Sequence, residues 1–208
     1  MKLFDLDGTL IDSTGVWRQV DHQFLSNHDL EMTDEYMTNI TRSTFPVAAQ
    51  YTKEYYHLDL TPDEIIAEWT ALVQDAYQHH IPLKPGVREY LELTSSSGEP
   101  MAIVTSCAPE LGLAVLERHG ITSLFQHLIF AQDLGIEKRD PRFFRHVADC
   151  LKVSPADCTL YEDAPENSAI AKDMGMTVIG ILDPLYAKEE SQMFQICDQC
   201  IRDFTELL

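Results

Sequence analysis

Two aspartates two residues apart, Asp5 and Asp7, follow the short apolar run Leu3-Phe4 and are followed at once by Gly8 and Thr9. In an extended chain residues i and i+2 point to the same side, so both carboxylates would leave the end of a strand toward one spot. Carboxylates that close repel unless a cation or a proton separates them. Gly8 lets the backbone turn tightly and turn its N–H toward an anion with no side chain in the way. Alone, a D-x-D is usually no more than a polar strand end, so the remaining chain decides its meaning.

Three other segments offer matching chemistry. Met101-Ala102-Ile103-Val104 reads as a strand that ends in Thr105-Ser106, and Thr159-Leu160-Tyr161 as one that ends in Glu162-Asp163. The loop after a strand at 128–130 carries Glu137-Lys138-Arg139-Asp140. In an open α/β sheet, ligands bind outside the carboxyl ends of the strands. One edge should therefore collect four carboxylates, two hydroxyls and a lysine. Clustered carboxylates suit Mg²⁺, a hard cation that prefers oxygen ligands. Asp5 could attack phosphorus and Asp7 could move the proton. Thr105 and Ser106 could donate to phosphate oxygens, with Lys138 neutralising their charge. Singly, each has an ordinary explanation: a helix cap, a surface lysine, acids at a helix start. The joint pattern is what overrides them.

The elements that must position these residues alternate. Beyond residue 83, helices read over about 87–93, 109–119, 141–151 and 165–174, between strands at 101–105, 128–130, 159–161 and 177–181. That order implies right-handed crossovers and a mostly parallel sheet. From 15 to 82 the pattern is helical only. Val16, Val20 and Phe24 share one face, Pro46 fits a first helical turn, and Thr61-Pro62-Asp63-Glu64 is a capping box with Pro at the first position. The expected architecture is an α/β Rossmann-like parallel sheet core of residues 1–14 and 83–208, with a small α-helical cap of residues 15–82 inserted after strand one.

Composition narrows the function. The 208 residues are 45% apolar, enough for a packed core, and carry a net charge of −19. That charge argues against nucleic acid and against an anionic membrane. No apolar run reaches membrane-span length. The odd count of five cysteines suits a reduced, cytoplasmic setting, and Cys197-x-x-Cys200 reads as two half-buried thiols rather than a zinc site. A monomer is the expected state.

With those residues in view the chain resembles the haloacid dehalogenase-like hydrolases, in the branch with a small helical cap after the first motif. Phe4-Asp5-Leu6-Asp7-Gly8-Thr9-Leu10-Ile11-Asp12-Ser13 matches the family's first motif, Ile103-Val104-Thr105-Ser106 the second, Lys138 with Pro141 and Phe144 the third, and Leu160-Tyr161-Glu162-Asp163-Ala164-Pro165 the fourth. The resemblance implies Asp5 as nucleophile and Asp7 as general acid/base. It implies Mg²⁺ on Asp5, Asp163, Glu162 and the Asp7 carbonyl, and phosphate held by Gly8, Thr105, Ser106 and Lys138. The third motif departs from the usual K-P-x-P, reading Lys138-Arg139-Asp140-Pro141, and Asn167 stands where glycine is common. Asn tolerates a left-handed backbone, which would leave that position intact.

The implied activity is Mg²⁺-dependent hydrolysis of a small phosphorylated metabolite. The alternatives are a β-phosphoglucomutase-like sugar phosphomutase and a non-catalytic phosphometabolite binder. Trp17, where the mutases carry histidine, tilts against the first. The intact Asp5, Asp7, Lys138 and Asp163 set argues against the second. Asp7 disfavours a dehalogenase, and the lack of a placeable Schiff-base lysine disfavours a phosphonatase. Trp17 and Arg42 are the cap candidates for substrate contact, each with packing or surface charge as the plainer explanation.

Overall fold

The computed structural model describes residues 1–40 and 45–208; Arg42 lies outside them. The chain divides into two compact units, Met1–Thr14 with Ile81–Leu208, and Gly15–His80.

The first unit is built on six parallel strands. They are β1 (Lys2–Phe4), β2 (Met101–Thr105), β3 (His127–Phe130), β4 (Thr159–Glu162), β5 (Thr177–Ile181) and β6 (Gln199–Ile201), in the order β3-β2-β1-β4-β5-β6. The order reverses at β1, so the strands on either side leave a crevice at its carboxyl end, the usual ligand position in such sheets. Register places Phe4 between Ile103 and Tyr161, so the residues that follow each strand emerge side by side.

Alternation along β1 sends its residues to opposite faces. Leu3 packs with Ala102, Val104, Leu160 and Val178 against Phe143, Phe144, Val147 and Ala171. Phe4, on the other face, stacks on Tyr161 at 4.4 Å between centroids and meets Tyr90, Phe125 and Phe204 edge-on or tilted. Both clusters are almost fully buried, which anchors the short strand that carries Asp5.

The second unit holds α1 (Val16–Asn27), α2 (Asp34–Ile40), α3 (Phe45–Tyr56) and α4 (Pro62–Asp75). The capping box is formed: Glu64 N donates to Thr61 Oγ1, and Thr61 N donates to Glu64 Oε2 at 2.8 Å. A π-helical turn, Ala76–His80, ends α4. Its wider spacing brings His80 Nε2 to 3.0 Å from Asp75 Oδ2. The core helices are α5 (Val87–Ser96), α6 (Pro109–Arg118), α7 (Ala131–Leu134), α8 (Pro141–Leu151), α9 (Pro165–Asp173) and α10 (Glu190–Ile196). Among the described residues no helix is long and apolar enough to cross a membrane.

One half-buried acid in the helical unit, Asp21, has a measurable consequence. Burial pushes the Asp21 carboxyl from 3.8 up to about 6. The folded chain then holds a proton the unfolded chain releases, so this group's contribution is full below about pH 4 and is lost as pH rises through about 6. Asp21→Asn should stabilise the protein by about 1–2 kcal/mol at pH 7.5, the shift being discounted for partial exposure, and should change little at pH 4. Urea melts at the two pH values check this.

Candidate active site

The nucleophile loop begins where β1 ends. Leu6 O accepts from the amides of Thr9, Leu10 and Ile11, and Gly8 N donates to Ile11 O, which turns the chain sharply after Asp7. Gly8 has φ +76°, and a Cβ there would lie 2.3 Å from Asp163 Oδ2. Only glycine lets the loop approach the end of β4 this closely. The same loop contributes Thr9, whose Oγ1 donates to Asp163 Oδ1 at 3.2 Å.

Lys138 arrives from the loop before α8 and is buried. Its Nζ lies 2.6 Å from Asp5 Oδ1 and 2.7 Å from Glu162 Oε2. Glu162 Oε1 in turn accepts from Ala164 N at 3.1 Å and from Asn167 Nδ2 at 3.3 Å. Glu162 thus aims Lys138 through the ion pair at Oε2, while Oε1 is held from the start of α9. Asn167 is helical, within α9, so its value here is that hydrogen bond and not a left-handed backbone.

Asp5, Glu162 and Asp163 are buried, and one oxygen from each lies within 4.8 Å of the others. The Asp5 carboxyl is pushed up to about 7, by burial first and by Glu162 and Asp7, with Lys138 working against the rise. Asp163 is raised well above the carboxylate range by burial, then by Asp5, Glu162 and Asp183. Burial acts to lower the Lys138 ammonium, but Asp5 and Glu162 outweigh it and hold the proton on. Three buried carboxyls thus share one ammonium, and the site is short of positive charge. An all-oxygen donor set with that deficit, closed by a glycine that keeps Asp163 in place, fits a hard divalent cation.

Thr105, at the end of β2, is buried, and its Oγ1 accepts from Cys107 N at 3.0 Å, which leaves the hydroxyl proton to donate elsewhere. Ser106 and Lys138 line one cavity of about 800 Å³, together with Arg139, Asn167 and Tyr186. Asp7 sits beside Asp5 in the loop and is half-buried. Trp17 belongs to α1 of the helical unit and is half-exposed.

Several residues at this edge have no signature in the sequence. Tyr186 follows β5, and burial first, then Asp163, Glu162, Asp5 and Asp183, raise its phenol to about 12. Asp183 shares a second cavity, of about 250 Å³, with Asp163. Thr9 stood inside the first motif and could have been found there, since it follows the glycine that approaches Asp163.

Gly8→Ala should keep the fold but push Asp163 aside. On the Mg²⁺-dependent reading that we propose for this site, the Mg²⁺ concentration giving half-maximal activity should rise roughly tenfold or more, the usual penalty for disturbing what orients a metal ligand. A Mg²⁺ titration of activity against wild type tests it.

Fold and site together define an α/β protein with an acidic, lysine-bearing centre at the switch point of its parallel sheet. The family model for haloacid dehalogenase-like hydrolases matches residues 2–181, and the chain belongs to that family. Among curated relatives, validoxylamine A 7'-phosphate phosphatase of Streptomyces hygroscopicus subsp. limoneus is 26% identical over all of this chain and 95% of that protein. Fructose-1-phosphate phosphatase of Escherichia coli (strain K12) is 25% identical over 86% of this chain and 94% of its own. The crystal structure of a haloacid dehalogenase family hydrolase from Deinococcus radiodurans R1, with bound phosphate and sodium, superimposes with a TM-score of 0.75 at 23% identity, covering 99% of this chain and 92% of that one.

Proposed function

We propose that this chain is a Mg²⁺-dependent phosphatase that hydrolyses a small phosphomonoester through an aspartyl-phosphate on Asp5. The observation that carries the reading is the buried Asp5–Lys138–Glu162 ion-pair chain with Asp163 alongside. Relatives named as phosphatases of small phosphorylated compounds support it.

In this mechanism the side chains of Asp5 and Asp163, with the Asp7 carbonyl and help from Glu162, would hold Mg²⁺, which when bound supplies positive charge against the phosphoryl oxygens. Lys138 favours the ionised form of Asp5 against the effect of burial and faces the negative charge that develops on the phosphoryl group. Thr105 and Ser106 orient that group, whereas the Gly8 amide, expected from the sequence to face it, donates to Ile11 O inside the turn. Asp5 attacks phosphorus, the bond to the leaving oxygen breaks, and Asp7 gives that oxygen its proton. Water then loses a proton to Asp7 and attacks the phosphoryl group, which frees orthophosphate and restores the Asp5 carboxylate. Choice of substrate is assigned to the helical unit, with Trp17 and Arg42 as its candidate contacts.

The test is release of orthophosphate from p-nitrophenyl phosphate with Mg²⁺ and with EDTA. The reading expects turnover that EDTA removes. Folded protein with no turnover on this probe or on a broad phosphomonoester panel would refute it in favour of a binding role. Interconversion of glucose 1- and 6-phosphates, primed by a bisphosphate, would point to a mutase instead.

A further inference from the structure

The 66-residue helical unit interrupts the first unit between Thr14 and Ile81. The two junction segments pair with each other on the sheet unit. Asp12 N donates to Pro82 O at 3.0 Å, Lys84 N donates to Leu10 O at 2.9 Å, and Ile11 forms an antiparallel bridge with Leu83. One carboxylate, Asp183, ties both segments. Its Oδ1 accepts from Thr14 Oγ1 at 2.6 Å and from Leu185 N at 2.9 Å, and its Oδ2 accepts from Lys84 Nζ at 2.5 Å.

The Asp183 side chain is 0% exposed and that of Lys84 is 8% exposed. Burying such a pair gains little stability over a well-packed apolar pair, and its best-attested use is to specify a register. None of the four motifs contains Thr14, Lys84 or Asp183. A chain of hydrogen bonds nevertheless runs from Asp183 to the nucleophile loop. The Lys84 ammonium meets Asp183, the Lys84 amide meets Leu10 O, and the Leu10 amide meets Leu6 O. Leu6 is the residue between Asp5 and Asp7.

We propose that Asp183 is a positioning residue: by fastening Thr14 and Lys84, it fixes the register of the two junction segments and so the placement of the Asp5–Asp7 loop. This rests on the phosphatase reading for its kinetic consequence, though not for its structural one. Loosening the register would misplace Asp7 relative to Asp5 while Lys138 and Ser106 stay on their own loops. A misplacement of about an ångström from a distant change is enough for roughly 10²-fold in rate.

The test uses the full chain with Asp183→Asn, which keeps an oxygen for Thr14 but removes the charge opposite Lys84. We expect kcat on p-nitrophenyl phosphate to fall about 10–100-fold with KM within about twofold. Hydrogen exchange at the amides of Asp12 and Lys84 should quicken while the amides of β2 and β4 hold their protection. An unchanged kcat, or faster exchange spread evenly over the sheet, would overturn the proposal. If Asp183→Asn does not fold, the double variant Lys84→Met/Asp183→Leu removes both charges; it should fold, with the same slow turnover and loosened junction, and wild-type values for both would overturn the assignment. Should the wild-type protein lack phosphatase activity, the exchange measurement alone decides: local quickening at Asp12 and Lys84 upholds the clamp, and unaltered exchange there overturns it.

Discussion

Asp5→Asn should reduce turnover by at least roughly 10³-fold, since the nucleophile itself is lost, while the protein stays folded and still binds orthophosphate. The amide is the same size as the carboxylate, and its oxygen can still accept from Lys138, which lies 2.6 Å away. Lys138 also keeps its contact with Glu162. Burial already pushes the Asp5 carboxyl up to about 7, so the fold tolerates a neutral group here. Removing one of three crowded carboxylates should leave the melting temperature unchanged or raise it. Steady-state kinetics with a thermal melt separate the two effects, and retained activity would sink the nucleophile assignment.

Lys138→Ala should do damage of a different kind. The buried ammonium is the counter-charge that both Asp5 and Glu162 touch. Its removal leaves two carboxylates buried without that partner, and breaking such a pair typically costs about 3–5 kcal/mol. Loss of a donor aimed at a developing oxyanion adds roughly 10²–10³ in rate. We therefore expect kcat/KM to fall by at least that factor and the urea midpoint to drop clearly. In the double variant Asp5→Asn/Lys138→Ala one of the two orphaned charges is gone, so it should be more stable than Lys138→Ala alone. An unchanged kcat/KM in Lys138→Ala would show that another cation serves the site.

The parts of this site that were legible in the sequence lie at strand ends. Apolar runs as short as Lys2–Phe4 and Thr159–Glu162 mark buried parallel strands, and parallel order forces Asp5 and Glu162-Asp163 to one edge. The Thr61 capping box was equally plain, because its chemistry is local. What escaped is non-local or weakly patterned. β6 is a three-residue edge strand, only its last residue, Ile201, being fully buried, so no alternation betrays it; Cys200 lies on it, and both late thiols are half-buried. The preceding helix α10 is short, and of its residues only Met193 is buried. Lys84 and Asp183 are 99 residues apart, and no spacing rule joins an acid after β5 to a lysine beside a Pro-Gly turn. Asn167 was legible as a departure from a pattern, but its partner, Glu162, became evident only once α9 began where it does.

The central claim is that Asp5 carries the phosphoryl group. Wild-type protein should be mixed with excess p-nitrophenyl phosphate and Mg²⁺, quenched in acid during turnover, and treated with borohydride, which reduces an acyl phosphate to the alcohol. The peptide spanning residues 3–18 is then sequenced by mass spectrometry. The account predicts reduction at position 5, absent from unmixed protein and from Asp5→Asn. Reduction at position 7, or none at either position during demonstrated turnover, would contradict it.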